Sequence, residues 1–218
     1  MSANILSRNG PAISEATMLL HAMIPASRAN GPGLRAVVFF QGCTLGCEKC
    51  FNPTTHVFQG VEVAPEKVVE ALVEAHREHV LEGITFSGGE PMQQAESLLA
   101  LMRNLRSRAP ELSFGMFSGY TERELDEGWY SIWRRELEAQ EKRSLWKAIR
   151  AHLDFAVLGR FNYLQPSTAS LRSSRNQVLR LLSNRYTEAE FGEQLAEVSI
   201  HEDGRAEVTG FPVLGLPW

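Results

Sequence analysis

Outside Cys43, Cys47 and Cys50 this 218-residue chain has no cysteine. That shortage argues against a disulfide framework, which needs an even count and an oxidising, secreted setting. The chain also lacks a long apolar run and a leader-like opening segment, so neither a membrane anchor nor export is expected. Neither sign of charge dominates: 22 basic residues stand against 26 acidic ones, for a net charge of −4. Nucleic acid and anionic membranes are therefore not expected as main partners. There is no internal repeat and no low-complexity tract. What remains is a chain with 44% hydrophobic residues, enough for one globular domain over 1–218, with a core at about 28–165 and a C-terminal extension at about 166–218. Thiols confined to one short loop fit a reducing cytoplasm.

The three cysteines fall within eight residues as Cys-x-x-x-Cys-x-x-Cys, in GCTLGCEKCFNP. Three thiolates from one loop can hold three irons of a [4Fe–4S] cluster and leave the fourth iron without a protein ligand. A structural zinc site is the competing reading, with His56 the nearest fourth ligand, but such sites usually take their cysteines in pairs. Plain electron transfer normally closes the cluster with a fourth cysteine, and none is left to supply it.

Strands and helices alternate along the chain. Ala36 to Phe40 is a continuous apolar run that predicts a buried parallel strand delivering the cysteine loop from its C-terminal end. Pro65 opens a helix running to about His79, with Val68, Val69, Leu72 and Val73 on one face. A second strand is expected from Gly83 to Phe86, then a helix from Pro91 carrying Leu98, Leu99, Met102 and Leu105 and ending before Pro110. Leu112 to Phe117 and Asp154 to Leu158 are the third and fourth strands. The charged, tryptophan-rich stretch from Thr121 to Arg150 predicts one or two surface helices. Glu197 to Ile200 and Ala206 to Thr209, joined by Glu202-Asp203-Gly204, predict a hairpin. The fold class expected is α/β: a mostly parallel sheet forming a partial (β/α) barrel, with ligands at the strand C-termini and the hairpin as an appendage.

A second motif, Phe86-Ser87-Gly88-Gly89-Glu90-Pro91, closes the second strand. Paired glycines let backbone approach a ligand and adopt positive φ, and Glu90 stands at a helix entrance beside Pro91. Alone this is only a strand-to-helix turn. Joined to a cysteine loop about forty residues upstream, it resembles the radical S-adenosylmethionine (radical SAM) superfamily. The resemblance implies that Cys43, Cys47 and Cys50 ligate a [4Fe–4S] cluster and that SAM chelates the open iron. It implies further that Gly88, Gly89, Glu90 and Pro91, with Ser118 and Tyr120 beyond the third strand, hold SAM, and that no side chain is catalytic beyond the cluster and SAM. The cluster would cleave SAM reductively to a 5′-deoxyadenosyl radical.

Further segments are similar to one branch, the glycyl-radical-enzyme activases of anaerobic ribonucleoside-triphosphate reductase. They are Asn30 to Arg35, Phe51-Asn52-Pro53, Ser118 to Thr121, Asp154 to Phe161, Ser173 to Gln177 and Thr209 to Pro212. This likeness implies a glycyl radical enzyme as partner, reduced flavodoxin or ferredoxin as electron donor, and Asn30 and Arg35 shaping the entrance for a substrate loop. Two other functions stand beside it: a small-molecule radical SAM enzyme, such as a deazapurine ring contractase, and a non-enzymatic iron–sulfur or zinc protein. Lys49 departs from the superfamily, many of whose members have an aromatic there; it could alter the cluster potential or simply be solvated.

Several residues carry a plain reading beside a functional one. His76 and His79 lie on a charged helix and read as surface rather than metal ligands. Tyr120 could lean on the adenine or pack internally. Arg172, Arg175, Arg180 and Arg185 could meet an acidic partner or form a solvated helix face. Trp129, Tyr130 and Trp133 could meet a partner or pack onto the domain.

Overall fold

The computed structural model describes residues 17–200, 204 and 206–211. Along the chain run β1 (Met18–Ser27), β2 (Arg35–Phe40), the two-residue β3 (Glu62–Val63), α1 (Pro65–His79), β4 (Gly83–Gly88), α2 (Ala95–Arg108) and β5 (Ser113–Ser118). They are followed by α3 (Glu122–Glu127), α4 (Ala139–Arg150), β6 (Phe155–Leu158), β7 (Val178–Leu181), β8 (Ala196–Ile200) and β9 (Ala206–Gly210). Strands β1 to β7 form one sheet in the order β3-β1-β2-β4-β5-β6-β7, and β8 and β9 pair as a separate hairpin.

The centre of the sheet is parallel. β2, β4, β5 and β6 lie side by side in chain order, in register from Arg35 opposite Gly83 and from Gly83 opposite Ser113. Helices lead from each of these strands to the next, and helix-covered parallel strands are buried on both sides. The apolar runs follow from that burial: in β2 only Phe39 keeps partial exposure. The flanks are antiparallel, β1 against β2 and β7 against β6. The structure is thus a mixed α/β fold with a parallel-rich sheet.

β1 was not expected, and its geometry explains why. Its pairing with β2 slips between Leu20 and Ala22 and again between Ile24 and Ser27. Each bulge breaks the two-residue alternation, and Pro25 demotes the segment further. β7 escaped notice because none of its four residues is buried. In the tryptophan-rich stretch, α3 is short and opened by a capping box in which Thr121 and Glu124 exchange bonds. α4 buries Trp146 and Ile149.

The sheet separates two apolar clusters. Ala36, Val38, Phe40, Ile84, Phe86, Phe114 and Met116 point toward α1, α2 and α4, where they meet Leu72, Leu98, Met102, Leu105, Trp146 and Ile149. On the other face Phe155 and Val157 meet Leu171, Tyr186 and Phe191, with Phe117, Leu179, Leu181 and Phe211 packed around them. The C-terminal segment therefore covers the inner face of the sheet. The hairpin stands as a sheet of its own and is fastened to the end of β1 and the segment after it. Glu197 accepts from the Ser27 hydroxyl and the Arg28 amide, and Asn30 Nδ2 donates to Thr209 Oγ1 at 3.0 Å. Of its expected turn, Glu202 and Asp203 lie outside the described residues, as does Pro212.

Arg35 also corrects an expectation. It sits at the N-terminal end of β2, opposite the cysteine loop, and is fully buried rather than at an entrance. Its guanidinium donates to Thr85 Oγ1, the Pro32 and Ile84 carbonyls, and Ser113 through both its hydroxyl and its carbonyl. Phe155 lies beneath it, 5.1 Å from ring centre to guanidinium carbon. Tyr186 and Glu82 complete the network, with the tyrosine hydroxyl donating to Glu82 at 2.7 Å. Burial lowers the Arg35 pKa, and the tyrosine and carboxylates around it offset part of that effect. Removing a buried cation that several acceptors depend on is among the costliest single changes. Arg35→Ala should cost about 3 kcal/mol or more, read as a lower urea midpoint with an unchanged slope.

Candidate functional site

The C-terminal ends of β2, β4 and β5 converge on one cleft. Cys43, Cys47, Cys50, Ser87, Gly88, Gly89, Glu90, Ser118 and Gly119 all line it. β2 ends at Phe40 and releases the cysteine loop, which is pinned along its edges. The Gly42 and Cys43 amides donate to the Thr55 and His56 carbonyls at 2.7 and 3.1 Å. Gln41 Nε2 donates to the Thr54 and Val57 carbonyls. Thr44 N–H donates to Gln93 Oε1 at 3.0 Å.

The Gly88–Pro91 turn is built against that loop. The Gly89 amide donates to the Phe40 carbonyl at 2.8 Å and the Glu90 amide to the Gly42 carbonyl at 2.9 Å. At Gly88 (φ +101°) a Cβ would lie 2.5 Å from the Phe40 nitrogen, and at Gly89 it would lie 2.4 Å from the Gly42 carbonyl oxygen. Both contacts are with backbone, which cannot move aside. The paired glycines thus admit the neighbouring strand's backbone, in addition to presenting their own to the cleft.

Glu90 is buried, with 1% of its surface exposed. Its Oε1 accepts from Met92 N–H at 2.9 Å and from the Ser118 hydroxyl at 2.8 Å, and its Oε2 accepts from Gly119 N–H at 2.7 Å. One carboxylate therefore caps the turn after β4 and fastens it to the end of β5. Burial pushes its pKa up to about 7, although these three bonds and Arg160 pull the other way. Desolvation is the larger effect here because the side chain has no exposed surface.

The expected SAM residues divide by position. Gly88, Gly89, Glu90 and Ser118 line the cleft, whereas Pro91 and Tyr120 do not. Pro91 opens the buried turn Pro91–Gln94. Tyr120 is 3% exposed, and its hydroxyl accepts from Gln93 Nε2 at 2.9 Å and Ser131 N–H at 3.0 Å. Its phenol is thus anchored in the wall behind the cleft.

Other residues complete the lining. Phe39, Phe51, Phe117 and Phe161 give the cleft apolar sides, with Phe51 and Phe161 at 4.7 Å between ring centres. Asn30, His56, Gln177 and Thr209 add polar atoms. Asn30 and Gln177 belong to segments already singled out by resemblance. Gln93 is wholly buried, and no periodicity betrays a buried glutamine whose function is to hold a loop.

Several of the remaining candidates resolve into packing or internal pairs. His76 Nε2 lies 2.9 Å from Glu111, and His79 lies 3.8 Å from Glu78. The basic stretch is not a helix face: Arg180 pairs with Glu122 at 2.7 Å and Arg185 with Glu82 at 2.9 Å. Lys49 places its ammonium 4.2 Å from the centre of the Tyr163 ring. Trp146 is buried and donates to Asp126, Trp133 stacks on Phe58, and Trp129 is exposed beneath Arg123.

The donor set suits a cluster better than one ion. Among the described residues, no three His, Cys, Asp or Glu side chains converge as they would around a single metal ion. The three thiols nevertheless line the same cleft, and a polynuclear iron–sulfur cluster spreads its ligands, one to each iron. Burial pushes the Cys43 thiol up to about 11 and raises Cys50 as well. Iron binding must therefore release protons, with the metal's charge offsetting what burial withholds.

A family model described as a 4Fe-4S single cluster domain matches residues 29–180. The chain belongs to this family. A putative glycyl-radical enzyme activating enzyme of Haemophilus influenzae is 39% identical over 99 residues, 44% of this chain and 37% of the relative. A pyruvate formate-lyase-activating enzyme of Clostridium pasteurianum is 37% identical over 38% of this chain and 37% of its own length. The alignment thus spans little more than a third of these two relatives. Anaerobic ribonucleoside-triphosphate reductase-activating proteins align more fully. That of Vibrio cholerae is 26% identical over 74% of this chain and 97% of its own length, and that of Enterobacteria phage T4 is 26% identical over 73% and 90%. Among the described residues no helix is long and apolar enough to cross a membrane.

Two outcomes follow from this geometry. Gly89→Ala should displace the Gly42 carbonyl and abolish cluster uptake, read as loss of the charge-transfer absorbance after reconstitution. Glu90 binds its proton more tightly in the folded state, from a reference of 4.5 to about 7. Its contribution to stability is thus full below pH 4.5 and is lost as pH rises through 7, by about 3 kcal/mol at most. Denaturant midpoints between pH 5 and 8 should fall for the wild type and fall less for Glu90→Gln.

Proposed function

We propose that this chain is a radical SAM enzyme that generates a glycyl radical on a partner enzyme such as an anaerobic ribonucleotide reductase. The observation that carries the reading is a juxtaposition. Three thiols and a glycine turn some forty residues away line one cleft at the C-terminal ends of adjacent parallel strands. Relatives named as activating enzymes of glycyl-radical systems support the choice of reaction.

On this reading Cys43, Cys47 and Cys50 would hold the cluster, with an iron left open to SAM. The backbone of Gly88 and Gly89 offers carbonyl acceptors to the methionyl ammonium, and Glu90 adds the lone pair that its three donors leave free. Ser118 turns its hydroxyl to Glu90 and holds the carboxylate in place, while Pro91 and Tyr120 position the turn from behind. Phe39, Phe117 and Phe161 exclude water from the reacting groups. When bound and reduced, the cluster would supply the one electron that splits SAM into methionine and a 5′-deoxyadenosyl radical, and that radical would take a hydrogen atom from a backbone glycine of the partner. The products are 5′-deoxyadenosine and a stored glycyl radical. No side chain acts as a base, since a hydrogen atom rather than a proton moves.

The reading further takes the sheet as an open, partial barrel within one domain, and reduced flavodoxin or ferredoxin as the electron donor. The test mixes reconstituted, reduced protein with SAM under anaerobic conditions. 5′-Deoxyadenosine should form with the wild type and fall to background with Cys47→Ala. Adding a co-encoded glycyl radical enzyme should give its characteristic doublet by electron paramagnetic resonance. No 5′-deoxyadenosine above the Cys47→Ala control refutes the SAM chemistry, whereas 5′-deoxyadenosine without a doublet refutes the partner.

A further inference from the structure

Phe58 occupies the space where a side chain at position 42 would stand. A Cβ on Gly42 (φ +105°) would come within 2.3 Å of the Phe58 ring. That ring stacks on Trp133, with centroids 5.5 Å apart and planes within 21°. Arg134 closes the stack with its guanidinium carbon 4.0 Å from the centre of the Trp133 ring. The same guanidinium is held by the Glu62 carboxylate. An ordered pile of arginine, indole and phenyl thus presses on the residue immediately before Cys43.

The same segment reaches the loop from a second direction. Trp133 N–H donates to the Gln93 carbonyl at 2.7 Å. The Gln93 side chain then grips Thr44, accepting from its amide at 3.0 Å and donating to its hydroxyl at 2.6 Å. Trp133 is therefore joined to the residues on both sides of Cys43, through Phe58 on Gly42 and through Gln93 on Thr44. Neither Trp133 nor Arg134 lines the cleft, so neither touches what binds there.

We infer that Trp133 is a positioning residue for the cluster loop: it braces Gly42-Cys43-Thr44 from outside, so that the loop holds its ligand geometry when the cluster is in place. The physical reason is preorganisation. A loop of glycine and small polar residues loses its order readily, and offset aromatic stacking supplies a rigid contact at small entropic cost. Outer partners that orient metal ligands typically change metal affinity 10–100-fold when removed. The inference rests on the reading of the three cysteines as cluster ligands.

The test is iron retention by the full chain, with no SAM present. Reconstituted wild type, Trp133→Ala, Trp133→Phe and Trp129→Ala are exposed anaerobically to an iron chelator, and the decay of cluster absorbance is followed. Trp133→Ala should lose iron about 10-fold faster than wild type, with a changed g-tensor in the reduced state. Trp133→Phe should restore most of the retention, and Trp129→Ala should match wild type because that tryptophan lies off the stack. Equal rates for Trp133→Ala and wild type overturn the inference while leaving the cysteine assignment standing. Wild type that takes up no iron overturns both. Should Trp133→Ala fail to fold, Phe58→Leu, which keeps an apolar side chain at that position but removes the stack, must show the same acceleration; wild-type retention in that variant overturns the brace.

Discussion

Much of this molecule depends on one close contact of backbone with backbone. The turn after β4 lies against the end of β2, with Gly88 and Gly89 packed on Phe39, Phe40 and Gly42 and two amides donating across the join. That contact exists only because glycine stands at both positions, and it places the glycine turn beside the first cysteine. Glu90 carries the arrangement one strand further. Its carboxylate ties the same turn to Ser118 and Gly119, so the ends of β2, β4 and β5 form one surface. Parallel order makes this possible, since it brings three successive C-terminal ends to one side of the sheet.

The parts legible in the sequence share a physical cause. Central parallel strands are buried on both faces, so β2, β4, β5 and β6 stand out as apolar runs, and α1 shows its face at regular spacing. The cysteines were legible because nothing but a metal explains three of them in one loop. The parts that stayed hidden depend on tertiary contact. β1 is broken by two bulges, and the C-terminal segment reads as polar coil until Leu171, Tyr186 and Phe191 are seen against the sheet. Arg35 shows the limit most sharply. An arginine after Gly-Pro-Gly suggests an exposed entrance, yet it is solvated internally by carbonyls, hydroxyls and an aromatic face.

The inner face of the sheet is graded from one end to the other. At the N-terminal end, Arg35, Ser113, Tyr186 and Glu82 form a closed polar network with its donors and acceptors matched. Such a network is rigid and costly to open. At the C-terminal end, aromatic side chains and the glycine turn line an open cleft. Rigidity below and an open cleft above suit a site that must hold a reactive group steady while admitting a large partner.

Burial raises the pKa of both Cys43 and Glu90, and these are the two groups the proposed chemistry needs as anions. Desolvation is the leading cause in each case; at Cys43 the Glu90 carboxylate pushes the same way, and at Glu90 the Arg160 guanidinium offsets part of the effect. Coulomb attraction is strongest where water is excluded, which means that a cation arriving in this cleft gains more than it would at the surface. Iron would answer the thiols, and the methionyl ammonium would answer Glu90. On the proposed reading the cysteine loop forms one wall of the cleft, so loading the cluster would settle the wall against which SAM would fit.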